Sequence, residues 1–347
     1  MNITEDLEGL GDPQGLSGGV PMNIVALAGG VGGAKLADGL ARCLPSPPPP
    51  APPPSSTGEG GKLTVIVNTG DDFDLMGLRI CPDLDTVMYT LAGIANPQTG
   101  WGIAGDTFEA LGMFQTLGGE TWFRIGDRDL AIDVRRTQFL REGKRLTDVT
   151  ETLCRPLGIP PNVRILPMTD AVVSTLVETG EGTLAFQDYF VRRAWQPAIR
   201  RVTFQGIERA RPTVEVLDAL DDADLIVLCP SNPFVSIEPI LALDGIRERL
   251  REHRAIAVSP LIGGQAVKGP AAKMFRELGL EPTALAVARR YADLLDGFVI
   301  DRADAGQRAD VERMNMRVLV TDTLMRDPAD RARLAREVLE FARTIPA

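Results

Sequence analysis

The sequence predicts an α/β fold with a doubly wound, mainly parallel sheet of the Rossmann-like type, helices on both faces, and a helical or irregular insertion region. Short runs rich in Val, Ile and Leu alternate with longer segments of helical periodicity along most of the 347 residues. The runs are apolar throughout, which is typical of parallel strands that are buried on both faces. Several helical segments begin at a proline, as at Pro239, Pro270 and Pro328, where the missing amide proton costs nothing.

Each element is predicted from its own apolar pattern. Strands are predicted at residues 23–28, 63–68, 163–166, 224–229, 255–259, 297–300 and 317–320. Helices are predicted at residues 33–43, 84–92, 106–117, 239–252, 270–278 and 328–342. In such sheets, ligands bind beyond the carboxyl ends of the strands, near the point where the strand order reverses. The residues that follow each strand are therefore the candidates for a binding site.

Two stretches are expected to lie outside the packed core of a single domain over residues 22–347. Residues 1–21 are rich in glycine and lack periodicity, so we predict a flexible N-terminal tail. Residues 45–61 contain two proline runs, which favour extended chain and exclude helix or central strand. We interpret this second stretch as an exposed insertion, and a ligand for a proline-recognition module is the alternative.

The composition excludes several classes of function. Lys and Arg total 37 against 47 Asp and Glu, and the net charge of −10 argues against nucleic-acid and anionic-membrane partners. Since there is neither an apolar run near 18 residues nor a signal peptide, we expect a cytoplasmic protein. The four cysteines stand far apart, and the only histidine, His253, lies in a charged helical stretch. Chemistry must therefore use carboxylates, Arg, Lys, hydroxyls, backbone amides and oxygen-bound metal.

A glycine-rich turn follows the first predicted strand. Its candidate substrate-binding residues are Gly29, Gly30, Gly32, Gly33 and Lys35. Adjacent glycines let backbone amides approach a phosphate, and the next helix offers its positive end. The sequence of this turn matches neither the Walker loop motif nor the dinucleotide-binding fingerprint. Anion binding is therefore predicted from the position and number of the glycines, and a tight strand-to-helix turn is the alternative.

Carboxylates follow the second strand. Asp71 and Asp72 come just after Asn68, and Asp83 and Asp85 lie in a Pro-Asp-Leu-Asp sequence. Clustered carboxylates beside phosphates are the usual environment of Mg²⁺. Capping of the next helix is the alternative for Asp83 and Asp85, but it leaves Asp71 and Asp72 unexplained. The sequence thus predicts a magnesium site formed by these four carboxylates, with Asn68 as a neighbouring binding residue.

Further polar segments complete the candidate site. Arg124 precedes a Gly-Asp-Arg-Asp sequence whose Asp127 and Arg128 are candidate binding residues, and a solvated turn is the alternative. Other candidates at strand ends are Ser231, Asn232, Pro233 and Gly263. Residues 186–190, Phe-Gln-Asp-Tyr-Phe, either line a pocket for a ring or form a core helix. Together these segments predict one large nucleotide site.

In this order, the segments resemble the 2-phospho-L-lactate transferase family, CofD, called FbiA in mycobacteria. The matching positions are 29–34, 67–69, 82–87, 126–129, 186–188, 231–233, 259–263 and 322–325. The resemblance runs from about residue 23 to the C-terminal helix and omits only the tail and the proline insertion.

The resemblance implies a Mg²⁺-dependent step in making the deazaflavin coenzyme F-420. A phospho-acid unit moves from a guanosine-diphospho-acid donor to the ribityl hydroxyl of the deazaflavin Fo, and GMP leaves. Asp85 and Arg124 are the positions implied to contact Fo. From the chemistry of the reaction, we expect Asp85 to orient the hydroxyl and to be a candidate acceptor of its proton, and Arg124 to position that end of Fo. The glycine-rich turn and the Ser-Asn-Pro segment are implied around the guanosine diphosphate. The family also implies a homodimer.

The donor acid and two competing classes remain open at this point. With 32 Arg against 5 Lys, the composition suggests a bacterial host, which favours phosphoenolpyruvate over phospholactate or phosphoglycerate. A nucleotide-sugar-binding regulator of the same superfamily would share the glycine-rich turn but transfer nothing, and residues 82–86 and 124–129 argue against it. An NAD-dependent dehydrogenase would place Asp71 on a ribose, but the glycine spacing is wrong for one.

Overall fold

The computed structural model describes residues 22–44 and 61–346. Its strands are β1 (Asn23–Ala28), β2 (Lys62–Val67), β3 (Phe73–Leu75), β4 (Leu78–Ile80), β5 (Val163–Pro167), β6 (Ser174–Thr179), β7 (Gly182–Ala185), β8 (Ile199–Gln205), β9 (Leu225–Leu228), β10 (Ala255–Val258), β11 (Leu261–Ile262), β12 (Gln265–Ala266), β13 (Gly297–Asp301) and β14 (Arg317–Thr321). The predicted tail lies outside the described residues, as does the predicted insertion apart from Gly61.

The helices are more numerous than the sequence predicts. They are α1 (Gly30–Cys43), α2 (Pro82–Leu91), α3 (Glu109–Thr116), α4 (Asp127–Arg141), α5 (Leu146–Cys154), α6 (Val214–Asp221), α7 (Glu238–Leu241), α8 (Ile246–Glu252), α9 (Ala271–Glu277), α10 (Ala284–Arg290), α11 (Arg308–Glu312) and α12 (Pro328–Thr344). Short 3₁₀ or π turns cover Arg155–Leu157, Asp188–Arg192, Pro233–Ile237 and Arg302–Gln307. None of the helices in the described part of the chain has both the length and the hydropathy that crossing a bilayer requires.

The predicted parallel sheet is confirmed, and all seven predicted strands lie in it. The strand order is β14-β13-β10-β9-β1-β2-β5, and every neighbouring pair is parallel. From β1 the chain moves outward through β2 to β5, then returns to the other side of β1 and moves outward again from β9. The order therefore reverses between β1 and β9, so the crevice at their carboxyl ends is the expected ligand site.

Both faces of the sheet are covered, as the apolar runs predict. Val25 and Leu27 of β1 belong to one hydrophobic cluster, whereas Ile24 and Ala26 belong to the cluster on the opposite face. Successive side chains of a strand point to opposite faces, so an uninterrupted apolar strand needs a hydrophobic layer on each side. A core on both faces holds β1 rigidly and thereby fixes the start of the turn that follows it.

Helix α1 is held against the C-terminal helix α12 by close backbone contact. A Cβ atom placed on Gly39 would lie 2.2 Å from the carbonyl oxygen of Arg331, so only glycine fits at this crossing. Asp38 is buried beside Gly39 and accepts hydrogen bonds from Arg331 at 3.0 Å and from Arg42 at 2.9 Å. These contacts fix the direction of α1, whose first residues line the crevice.

Some predicted boundaries are wrong. Helix α1 begins at Gly30 and not at residue 33, so the glycine-rich turn forms its first turn. The predicted helix at 239–252 is two helices, α7 and α8, because the chain between them ends in Gly245 with φ +79°. Three small antiparallel sheets, β3–β4, β7–β6–β8 and β11–β12, lie outside the central sheet and were not predicted.

Candidate active site

A cavity of about 690 Å³ lies at the carboxyl ends of β1 and β9. This is the size of a ligand pocket. The predicted site residues that line it are Gly29, Gly30, Gly32, Lys35, Asp71, Asp83, Asp85, Arg124, Ser231 and Asn232. The predicted site residues that do not line it are Gly33, Asn68, Asp72, Asp127, Arg128, Pro233 and Gly263.

The glycine-rich turn packs tightly against the loop that follows β9. The Gly29 amide donates to Ser231 Oγ at 3.1 Å, and a Cβ on Gly32 would lie 2.2 Å from the carbonyl oxygen of Pro230. A Cβ on Gly33 would lie 2.5 Å from Ser231 Oγ, which explains why this glycine packs the helix and does not line the cavity. The tight turn is thus present, and it leaves the backbone of residues 29–32 and the positive end of α1 facing the cavity.

Asp83 joins α2 to the first residue of α1. Its Oδ1 accepts the amide of Gly30 at 2.8 Å, and its Oδ2 accepts Asn68 Nδ2 at 2.9 Å. Asn68 also accepts the amide of Gly70 at 2.8 Å, so Asn68 holds Asp83 from behind and does not line the cavity. Burial raises the pKa of Asp83 to about 6, although both hydrogen bonds lower it. Asp83 therefore does not cap its own helix; it binds the start of α1.

Asp71 is buried and incompletely paired. It is 5% exposed, it lines the cavity, and its Oδ1 has no hydrogen-bond partner. Burial raises the pKa of Asp71 well above its usual range, and the nearby charge of Asp83 acts in the same direction. A buried carboxylate oxygen without a partner is costly unless a proton or a cation reaches it.

The four carboxylates predicted to bind metal do not form one group. Asp72 faces Arg79, whose Nη2 lies 4.0 Å from its Oδ2, and burial raises the pKa of Asp72 to about 7. Asp85 forms a salt bridge with Arg136. Over residues 22–44 and 61–346, no three His, Cys, Asp or Glu side chains are close enough to form a metal site by themselves. Arg79 and Arg136 thus pair with Asp72 and Asp85, and Asp71 and Asp83 remain as the two predicted metal ligands that line the cavity without an arginine partner.

A buried ionic network connects α2 with α4 beside the cavity. Arg136 is 2% exposed and donates to Asp85 and, at 2.5 Å, to Asp133 Oδ1. Burial raises the pKa of Asp133 to about 9, and the neighbouring Asp85 acts in the same direction. One turn closer to the cavity, the hydroxyl of Tyr89 donates to Asp129 Oδ1 at 2.5 Å. Asp129, Asp133 and Arg136 lie on one face of α4. Their separation by four and three residues is the sequence signal that predicts a shared helix face.

The Gly-Asp-Arg-Asp sequence joins the start of α3 to the start of α4. Asp127 accepts the amides of Glu109 and Ala110, each at 3.0 Å, which caps α3. In exchange, Asp106 accepts the amides of Arg128 at 2.9 Å and of Asp129 at 3.1 Å, which caps α4. The Asp127 carboxylate is thus committed to α3, and the guanidinium of Arg128 binds the carbonyl of Ala104. Neither Asp127 nor Arg128 lines the cavity, whereas Asp129 does. Substrate binding by Asp127 and Arg128 stays a prediction.

Aromatic rings line the cavity on the side of Arg124. Phe186 and Phe190 stack with ring centroids 5.4 Å apart and an angle of 5° between their planes. Trp122 and Phe123 meet edge to face at 5.7 Å. The Arg124 side chain is exposed, and its guanidinium lies 4.5 Å from the centroid of the Phe108 ring. Within residues 186–190, Tyr189 is buried in the core while Phe186 and Phe190 line the cavity. Binding of a ring by these residues stays a prediction.

The segments that contain Asn232 and Gly263 border the cavity. Asn232 lines it and accepts the amide of Phe234 at 3.0 Å, which caps the turn that contains the buried Pro233. Gly263 has φ +56° and donates its amide to Asp304 at 2.9 Å. Its neighbour Ile262, and not Gly263 itself, lines the cavity. These two segments therefore contribute Asn232 and Ile262 to the cavity lining, but not Pro233 or Gly263.

Comparison with known proteins identifies the family. The model of the 2-phospho-L-lactate transferase (CofD) family matches residues 24–337. The chain belongs to the 2-phospho-L-lactate transferase family. This match confirms the resemblance predicted from the sequence and supports a transferase enzyme.

Relatives of the CofD family align over nearly the whole chain. A phosphoenolpyruvate transferase of Streptomyces griseus is 42% identical over 334 residues, which are 94% of this chain and 100% of the relative. A phosphoenolpyruvate transferase of Thermobifida fusca is 43% identical, with 92% and 98% covered. A 2-phospho-L-lactate transferase of Methanopyrus kandleri is 40% identical, with 92% and 97% covered. Both kinds of transferase are therefore similar to this chain to nearly the same degree.

A solved structure shares the fold of this CofD member. A Bacillus halodurans protein of the UPF0052 family is 14% identical, with a TM-score of 0.56 and coverage of 93% of this chain and 100% of that protein. At this identity, the likeness supports the Rossmann-like fold alone.

Proposed function

We propose that the protein transfers a phospho-acid unit, with phosphoenolpyruvyl favoured, from a guanosine-diphospho-acid donor to the ribityl hydroxyl of Fo. GMP is released, and the reaction is a step in coenzyme F-420 biosynthesis. The observation that carries the proposal is one cavity that joins a glycine-rich helix start to an aromatic end containing carboxylates. Membership of the CofD family supports the same reaction. Phospholactyl and phosphoglyceryl donors are the other candidates for the acid.

The diphosphate of the donor is assigned to the glycine-rich end. The backbone of Gly29, Gly30 and Gly32 and the positive end of α1 face the cavity there. Lys35 lines the same region, and its Nζ donates to the carbonyl of Met325 at 2.7 Å. Burial lowers the pKa of Lys35, and a bound diphosphate would favour its charged form. Lys268 is a second cation at this end.

Asp71 and Asp83 are proposed to hold Mg²⁺. Their fit rests on the unpaired buried Oδ1 of Asp71 and on the mutual repulsion of the two carboxylates, which a cation would relieve. Mg²⁺ is usually held by one or two carboxylates, substrate phosphates and water, so a third protein ligand is not required. When bound, Mg²⁺ supplies charge neutralisation to the diphosphate.

The ring system of Fo is assigned to the aromatic end. Trp122, Phe123 and Phe186 offer flat apolar surface there, and offset or edge contacts of aromatic rings favour such a ligand. Asp85 and Arg124 also line this cavity, where the ribityl chain would reach them. Arg136 fixes Asp85, so its carboxylate is held in place to orient the hydroxyl.

The test is a transfer assay with purified protein, Fo, Mg²⁺ and each purified donor in separate reactions. We expect one phosphodiester product by mass spectrometry and an equal amount of GMP by chromatography. Nucleotide binding without product would instead support the regulator of the same superfamily. A higher kcat/KM with the lactyl or glyceryl donor would refute the choice of acid but not the transfer reaction. The homodimer and the cytoplasmic location stay predictions.

A further inference from the structure

Asp129 is a cavity carboxylate that the sequence analysis left without a role. It lies in the first turn of α4 and faces Asp85 and Tyr89 of α2. Its Oδ1 accepts the hydroxyl of Tyr89 at 2.5 Å. Among the residues that the structure describes, no cationic side chain lies within 4.0 Å of this carboxylate, and no donor contacts its Oδ2. Asp129 therefore presents a carboxylate oxygen to the cavity while its other oxygen is held.

Asp85 lies beside Asp129 but is bound differently. Its Oδ1 forms a salt bridge with the buried guanidinium of Arg136, which also holds Asp133. A cation in contact with a carboxylate stabilises the charged form and holds the group in place, which suits Asp85 to accept a hydrogen bond from a substrate hydroxyl. The two cavity carboxylates thus differ in kind: Asp85 is fixed by a cation, whereas Asp129 is fixed by a neutral hydroxyl.

We infer that Asp129 accepts the proton of the attacking ribityl hydroxyl, while Asp85 orients that hydroxyl. The inference rests on the proposed function. As the hydroxyl oxygen bonds to the phosphorus that carries the acid, its proton passes to Asp129 Oδ2. The bond from that phosphorus to the bridging oxygen breaks, and GMP leaves with this oxygen. Asp129 then returns its proton to water. Tyr89 and Arg136 are positioning residues in this arrangement.

The charges around Asp129 suit this role. Burial and the charges of Asp85 and Asp106 raise the pKa of Asp129 to about 7, against the lowering effects of Tyr89 and Arg136. A base whose pKa lies near the working pH combines a high ionised fraction with a strong pull on the proton. Because the ionised form accepts the proton, transfer should fall as the pH drops below about 7.

The experiment compares the wild type with Asp129→Asn, Asp85→Asn and Glu142→Gln. Glu142, the exposed C-terminal cap of α4, provides the matched control for charge removal on the same helix. For Asp129→Asn we expect kcat to fall roughly 10²- to 10⁴-fold, with KM for Fo within about threefold of wild type and the acidic limb of the pH profile lost. For Asp85→Asn we expect mainly a higher KM for Fo. Glu142→Gln should match the wild type.

Tyr89→Phe provides a second variant that keeps the Asp129 carboxylate in place. Since the hydrogen bond from Tyr89 lowers the pKa of Asp129, its loss should move the acidic limb to higher pH. A wild-type kcat in Asp129→Asn would overturn the inference. Loss of the acidic limb in Asp85→Asn together with its retention in Asp129→Asn would also overturn it. Either result would leave the transfer reaction standing. A wild-type protein that forms no phosphodiester would instead refute the proposed function, and the inference with it.

Discussion

Replacing Arg136 by methionine should destabilise the fold strongly and make its stability depend on pH. The guanidinium is 2% exposed and binds Asp85, Asp133 and, at 3.3 Å, the carbonyl of Arg79. Methionine retains much of the volume but leaves the buried Asp85 carboxylate without its cation and the buried Asp133 without its hydrogen-bond donor. Breaking a buried ion pair in this way typically costs about 3–5 kcal/mol, so we expect a loss of this size at pH 8.

The sign of the pH dependence follows from the same contacts. Burial raises the pKa of Asp85 and Arg136 lowers it, so removal of Arg136 raises this pKa further above its unfolded value. Asp133, whose pKa is already about 9, is protonated at both pH 5 and pH 8 and adds no difference between them. A carboxyl group whose pKa is raised on folding opposes folding least at low pH, where it is protonated. The free energy of unfolding then falls as the pH rises through the folded pKa. The variant should therefore lose less stability relative to wild type at pH 5 than at pH 8.

Urea denaturation followed by circular dichroism at both pH values measures the effect. Arg135→Met is the matched control, since Arg135 is the exposed neighbour of Arg136 and contacts the Phe139 ring at 3.9 Å. Its loss should cost about 1 kcal/mol or less at either pH. Equal destabilisation by the two substitutions, or a difference that does not grow from pH 5 to pH 8, would refute the reasoning.

Three further predictions concern the metal, the packing of α1 and the donor. Asp71→Asn should remove the rise in thermal unfolding midpoint that Mg²⁺ gives the wild type, without destabilising the metal-free fold; an unchanged Mg²⁺ effect would contradict the assignment. Gly39→Ala should cost roughly 1–3 kcal/mol, whereas Gly112→Ala, where an added Cβ meets nothing within 4 Å, should be neutral or stabilising in urea denaturation. Purified donors compared by kcat/KM should favour the enolpyruvyl donor.

The central sheet could be predicted because its strands are buried on both faces. Every residue of β9 and of β10 is buried, so hydrophobicity alone marks these segments. The small sheets gave weaker signals: β6 is buried only at alternate positions, and β3 has three residues, none of them buried. Short, half-buried strands at the edge of a fold resemble loops in a single sequence.

Helix α4 was missed because its buried face is polar. Its buried residues include Asp133, Arg136 and Thr137, so the pattern that usually marks an amphipathic helix is absent. The charges are buried because they pair with one another and with Asp85. This kind of burial depends on tertiary partners, which a periodicity search along one segment does not detect.

The predicted strand ends indicate where the cavity lies, but residue type alone does not predict which side chains face it. Asp71 and Asp72 are adjacent and chemically identical, yet one lines the cavity and the other turns to Arg79. In the same way, Asp129 lines the cavity, whereas Asp127 caps α3. Direction is set by the helix or loop that carries each residue, and this information appears only once the elements are packed.

The charges that line the cavity explain why the donor and the metal should bind together under the proposed function. Within residues 22–44 and 61–346, the lining acids are Asp71, Asp83, Asp85 and Asp129, and the lining cations are Lys35, Arg124 and Lys268. A donor with two phosphates and a carboxylate adds further negative charge to a site that already lacks an excess of cations. The positive end of α1 offsets part of this charge, but its Gly30 amide is already bound by Asp83. A divalent cation between the diphosphate and the carboxylates of Asp71 and Asp83 would attract all three groups and so offset the repulsion among them. Metal affinity should therefore rise when the donor is present, and donor affinity should rise by the same factor when the metal is present.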